Sequence, residues 1–132
     1  MIEITTRSFN PETDTNLILK SWLTTFKNTG PAVHRMIDSE YFEDYQKIIK
    51  HMLANSDITI VCDPEDKDII WAYMIHTDHA IHYIYVKDTF RKLGIMRKLI
   101  SLAKANHFTH WTTPMNSISH KFKHLIYNPF KI

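Results

Sequence analysis

The stretch Ile81-His82-Tyr83-Ile84-Tyr85-Val86-Lys87-Asp88-Thr89-Phe90-Arg91-Lys92-Leu93-Gly94-Ile95-Met96-Arg97-Lys98-Leu99 constrains the fold more than any other. It reads as a strand, a short basic loop and a helix. A helix that starts directly after a strand leaves its first N–H groups unpaired at its positive dipole end. Arg91 and Lys92 add full charges beside that end. Gly94 and Gly30 are the chain's two glycines. A glycine at the loop-to-helix junction serves a backbone need, either a positive φ or close approach of a ligand. The three features together describe an anion site.

The bulk numbers fix the setting. A chain of 132 residues, 44% hydrophobic and 23% charged, is expected to form one domain, 1–132, around one core. Its formal charge of +2 does not demand a polyanionic partner, so nucleic acid is not favoured. The single cysteine, Cys62, excludes an internal disulfide and fits a reducing, cytoplasmic compartment. Cys62 reads as a small buried hydrophobe. Met1 leads into a strand-like stretch, so no signal peptide is expected. No apolar run approaches the roughly 20 residues of a membrane span.

The chain then reads in order. Ile2, Ile4 and Thr6 alternate with Glu3, Thr5 and Arg7, as in a half-buried strand. Asn10-Pro11-Glu12 starts a helix whose apolar face is Leu19, Trp22, Leu23 and Phe26, and Gly30-Pro31 ends it. A second helix starts at Asp38, carries Phe42, Tyr45, Ile49 and Met52 inward, and ends near Asn55. Strands follow at 58–62 and 69–75. The second is nearly all apolar, so both of its faces should be covered. Next come the 81–86 strand and a helix over about 93–105, with Ile95, Leu99, Leu102 and Ala103 inward. A strand over 108–112, ended by Pro114, a short helix over 117–124 and an extended tail complete the chain.

The predicted order is β, α, α, β, β, β, α, β, α, β. Strand 81–86, helix 93–105 and strand 108–112 form a βαβ unit, so those strands should be parallel. The strands at 58–62, 69–75 and 81–86 are joined by turns and should be antiparallel. The fold class is α/β, a mixed sheet with helices on both faces.

Element order and motif together resemble the GCN5-related N-acetyltransferase superfamily. Its signature, Q/R-x-x-G-x-G/A at the head of a helix, is matched by Arg91-Lys92-Leu93-Gly94-Ile95-Met96, five residues after Val86. Met96 stands where the family has Gly or Ala. The resemblance implies a sheet with a splayed parallel strand pair. It also implies acetyl-CoA as cofactor. Arg91, Lys92 and the amides of Gly94, Ile95 and Met96 would take the pyrophosphate, and the backbone near Tyr85 and Val86 the pantetheine. The implied activity is acyl transfer to an amine on a small molecule or a protein. The acceptor would sit between the first two helices and the 76–79 turn.

His82, four residues before Val86, shares the face of Val86 by strand parity and is a candidate general base. Asn116 fits the family's position seven residues before a tyrosine acid. Lys123 occupies that second position, and Tyr127 is the candidate acid if the register slips. Tyr83 and Tyr85 point to the opposite face. The remaining histidines lack metal-ligand spacing, so no metal is expected. Two alternatives stand beside the enzyme. One is a catalytically inactive binding or assembly protein of the same fold. The other, from a loose similarity in size to Mom-type modifiers of phage DNA, is nucleobase modification. A homodimer through exposed strand edges is geometrically allowed.

Overall fold

The computed structural model describes residues 2–132; Met1 and the expectation attached to it lie outside them. Six strands form one sheet in sequence order: β1 (Thr5–Ser8), β2 (Asp57–Cys62), β3 (Ile70–His76), β4 (Ala80–Val86), β5 (His107–Phe108) and β6 (Ile126–Tyr127). The helices are α1 (Pro11–Thr29), α2 (Asp38–Asn55), α3 (Ile95–Leu102) and α4 (Thr113–Ser119). The element order is the one expected. Strands β1 to β4 pair antiparallel, and β4–β5 and β5–β6 pair parallel.

Helix α1 begins where the sequence says. The Asn10 side chain accepts from the Glu12 N–H at 3.1 Å, and Pro11 sits in the first turn. Its end at Gly30 has a different cause from a left-handed cap. The φ of Gly30 is −93°, and a Cβ there would stand 2.6 Å from Phe26 Cε1. Gly30 is therefore a matter of space, not of backbone freedom.

Helices α1 and α2 cover one face of the sheet. There Ile18, Trp22, Phe26, Tyr41, Ile49 and Met52 pack on Ile60, Tyr73, Ile75 and Tyr83. On the other face α3 and α4 bring Ile95, Leu99, Ile100 and Met115 against Val61, Ala72, Met74, Ile84 and Val86. Strand β3 contributes to both clusters, as its continuous apolar run requires. Trp22 is fully buried and stacks on Tyr83, with ring centroids 4.8 Å apart.

Several expectations are corrected. In β1, Arg7 turns inward and Thr6 outward, because the Arg7 guanidinium forks onto buried Asp14 at 2.7 and 2.9 Å. In α2 the buried aromatic is Tyr41, whose hydroxyl donates to the Leu23 carbonyl at 2.7 Å; Phe42 is exposed. Helix α3 is shorter than expected, and Leu102 is exposed while Ile100 is buried. The ladder of β5 has only two residues, not five. Pro114 does not end a strand. It lies in the first turn of α4, capped by Thr112 Oγ1, which accepts from the Met115 N–H at 3.1 Å.

Candidate active site

The site lies where β4 and β5 part. Ala80 and Ile81 pair with His107 and Phe108, and the Thr109 N–H donates to the Ile81 carbonyl at 3.1 Å. Beyond this point the chain leaves β4 for α4. The Lys87 N–H donates to the Trp71 carbonyl, so Lys87 and Tyr85 turn their backbone towards β3. Ile84 and Val86 turn theirs the other way, into the gap. The sequence reading named Tyr85 and Val86 for backbone pairing and missed Ile84. The signal was available in strand alternation once the central position of β3 was known.

The loop after β4 is held by its own residues. Asp88–Phe90 forms a 3-10 turn. Arg91 Nε donates to the Val86 carbonyl at 2.8 Å, and its guanidinium pairs with the Asp88 carboxylate. Phe90 stacks on Trp71 with centroids 4.4 Å apart. Lys92 and Gly94 both take positive φ, at 65° and 87°. This is the backbone need expected at Gly94. The nearest atom to a Cβ on Gly94 would be Ile2 Cγ2 at 3.9 Å. The amides of Gly94, Ile95, Met96 and Arg97 have no hydrogen-bond acceptor among the described residues.

These amides open into a cavity of about 840 Å³. Its floor is the end of β4, Tyr83 to Val86, and one wall is the loop and first turn of α3, Asp88 to Arg97. The opposite wall is the end of α1, with Thr25, Asn28 and Thr29, and the start of α4, with Thr112, Pro114 and Ile118. Thus Tyr85, Val86, Arg91, Lys92, Gly94, Ile95 and Met96 are all brought to one cavity. Met96 is half-buried against the α3-side cluster, so its bulk is directed partly into the core. Arg97, in the first turn of α3, is a further lining cation.

The two candidate catalytic residues stand elsewhere. His82 is buried and is absent from the lining. A register shift pairs Ile75 with Tyr83 and His76 with Ile81, which leaves His82 as the extra residue of a bulge in β4. Ile81 and Ile84 therefore pack on the same face, and the parity argument fails at His82. Its ring turns to β5, where Nδ1 is 2.9 Å from Thr109 Oγ1. That hydroxyl also meets His110 Nδ1 at 2.8 Å, and His110 Nε2 pairs with the Tyr45 hydroxyl. Burial pushes His82 down to about 4 and His110 down to about 3, so this four-residue chain is uncharged at neutral pH. Tyr127 lies on β6, packed against Phe108 and Trp111, also outside the lining. Burial raises the Tyr83 phenol to about 12, and its hydroxyl pairs with Thr25 Oγ1.

A second, shallower cavity of about 470 Å³ lies between the end of α2 and the Thr77–His79 turn. It is lined by other residues than the first. Among the described residues no helix is long and apolar enough to cross a membrane.

No protein-family model and no curated protein matches the sequence. Solved structures do. A possible acetyltransferase from Clostridium difficile 630 aligns over 97% of this chain and 80% of its own, at 14% identity and a TM-score of 0.54. The apo form of YjaB from Escherichia coli aligns over 77% of this chain and 67% of its own, at 16% identity and a TM-score of 0.54. An N-acetyltransferase from Staphylococcus aureus Mu50 aligns over 92% and 83%, at 19% identity and a TM-score of 0.50. The chain therefore shares the fold of these three structures, two of which are named as an N-acetyltransferase and a possible acetyltransferase.

Proposed function

We propose that this protein is an acyl-CoA-dependent N-acyltransferase acting on an amine. One observation carries the reading. A single cavity joins the unpaired amides of Gly94 to Arg97 to the β4 edge left free by the departure of β5. The first feature suits a pyrophosphate and the second suits an amide-bearing arm, which are the two recognisable parts of coenzyme A. Lys92 and Arg97 would add charge, and Arg91 would act chiefly by holding the loop. The backbone of Ile84 and the N–H of Val86 would pair with the arm, the Val86 carbonyl being held by Arg91. Acyl-CoA would supply the activated thioester. The acetyltransferase neighbours support the same reading through the fold. His82 would contribute from behind the floor, through Thr109, and Tyr127 from the β6 side. A cytoplasmic location accords with the use of acetyl-CoA.

Thermal unfolding with acetyl-CoA tests the reading. At 100 times its dissociation constant a ligand should stabilise by about 2.7 kcal/mol. The absence of any shift at saturating acetyl-CoA would sink the proposal. Gly94→Trp should abolish the shift, since the added ring would fill the approach to the amides.

A further inference from the structure

We propose that Tyr45, acting through His110 and Thr109, holds His82 as the neutral tautomer with its proton on Nε2, so that His82 meets a ligand as a hydrogen-bond donor and not as a base. The four side chains come from three parts of the fold: Tyr45 from α2, His82 from the bulge in β4, and Thr109 and His110 from the segment after β5. Thr109 Oγ1 stands 2.9 Å from His82 Nδ1 and 2.8 Å from His110 Nδ1, with no third partner among the described residues. A hydroxyl carries one proton, so it donates to one of these nitrogens and accepts from the other. Burial keeps both rings neutral, and each carries a single N–H. The two histidines are therefore opposite tautomers, whichever way the chain of bonds runs.

Tyr45 sets the direction. Burial raises its phenol well above the ordinary range, so the oxygen keeps its proton. His110 Nε2 is the acceptor that receives it. The Trp22 indole N–H lies beside the same oxygen, though outside hydrogen-bonding geometry. An indole nitrogen only donates, so it faces the oxygen's lone pairs and leaves the proton to His110. The reverse direction would strand the Tyr45 proton without an acceptor in a largely buried place. Every other position then follows. His110 accepts at Nε2 and donates from Nδ1 to Thr109. Thr109 donates to His82 Nδ1, and the proton of His82 lies on Nε2.

That Nε2–H is the open end of the chain. His82 is 3% exposed, and its Nε2 has no partner among the described residues. The unpaired side-chain nitrogens sealed from solvent are Trp22 Nε1, Trp71 Nε1 and His107 Nδ1, and His82 Nε2 is not one of them. A donor left open in this way suits a lone pair on a ligand oxygen or nitrogen and offers nothing to an ammonium ion.

Nitrogen NMR of the full chain, isotopically labelled at histidine and recorded without ligand at neutral pH, tests the assignment. His82→Gln and His110→Gln identify the two rings among the nine histidines. We expect His82 to carry its proton on Nε2 and His110 to carry its own on Nδ1. Tyr45→Phe, with the amide spectrum otherwise conserved, should move the Nδ1 and Nε2 resonances of His82 towards each other as the second tautomer becomes populated. Thr109→Val should release His82 in the same way while His110 keeps its proton on Nδ1. A proton on Nδ1 of His82 in the unaltered chain, or one tautomer shared by both rings, would overturn the proposal. So would a His82 tautomer untouched by either variant. If Tyr45→Phe does not fold, the unaltered chain and Thr109→Val decide. No ligand enters the measurement, so its outcome stands apart from that of the acetyl-CoA thermal shift, which bears on the acyltransferase reading alone.

Discussion

The sheet has two halves built on different terms. From β1 to β4 the ladders run four to six residue pairs and are antiparallel. From β4 to β6 each ladder is two residue pairs long and parallel. The first half is held by continuous backbone pairing between two packed faces. The second is held by side chains: Phe108, Trp111 and Tyr127 pack on one another at tilted and edge-on angles, and Thr109 ties to His82 and His110. The candidate site lies on the boundary. A saturated sheet has no backbone groups to offer a ligand, and the short ladder of β5 releases those of Ile84 and Val86. Rigidity from one half and incompleteness in the other are both needed.

The comparison can be broken first in the rigid half. Trp22→Ala removes a fully buried ring between α1 and β4 and should cost about 3–5 kcal/mol. Urea denaturation would measure it. A loss below about 1 kcal/mol would mean the long ladders stand without the helix layer.

Acid should act next, at the junction of the halves. The unfolded histidine pKa is about 6.5, and His82 and His110 lie near 4 and 3 when folded. Below about pH 6.5 the unfolded chain binds more protons than the folded one. Stability is thus full above that pH and falls towards acid, by about 1.4 kcal/mol per pH unit for each histidine. The Arg7–Asp14 pair adds its own loss at lower pH: burial pushes the Asp14 carboxyl up, but hydrogen bonds from Arg7 and the Asn10 amide outweigh it and hold the carboxyl below its usual range. Unfolding midpoints measured through this window should lose about one proton of slope in His82→Gln. An unchanged slope would remove His82 from the account.

Gly94→Ala probes the loop. A side chain at a φ of 87° costs about 1–2 kcal/mol, with no clash to add, since the site is open. Acetyl-CoA affinity should fall with it, and a titration of the variant would show this. The smallest effect is expected at β6. Tyr127→Phe keeps the packing on Trp111 and should change stability by less than about 0.5 kcal/mol. Turnover reduced a hundredfold with stability intact would mark Tyr127 as the acid.

Sequence patterns made the rigid half legible because they are local. Apolar runs and the Asn10-Pro11 helix start, where the Asn10 side chain accepts from the Glu12 N–H, each act within a few residues. The Arg91–Met96 motif was equally readable, down to the unusual φ at Gly94. The other half was not. Phe108 to Thr112 has strand composition, yet only its start pairs, because the rest must swing away into α4. Thr112 and Pro114 form a helix-starting pair that looks like a strand terminator when read from upstream. His82 could not be placed by alternation, since one inserted residue in β4 inverts the count and no sequence pattern marks it.

The bond from Arg91 to the Val86 carbonyl has a kinetic consequence. It fastens the loop to the strand before any anion arrives. A ligand therefore meets a cradle already in its binding shape, and little chain entropy remains to be lost on association. Cutting this latch, as in Arg91→Leu, should show itself less in how fast an anion arrives than in how briefly it stays.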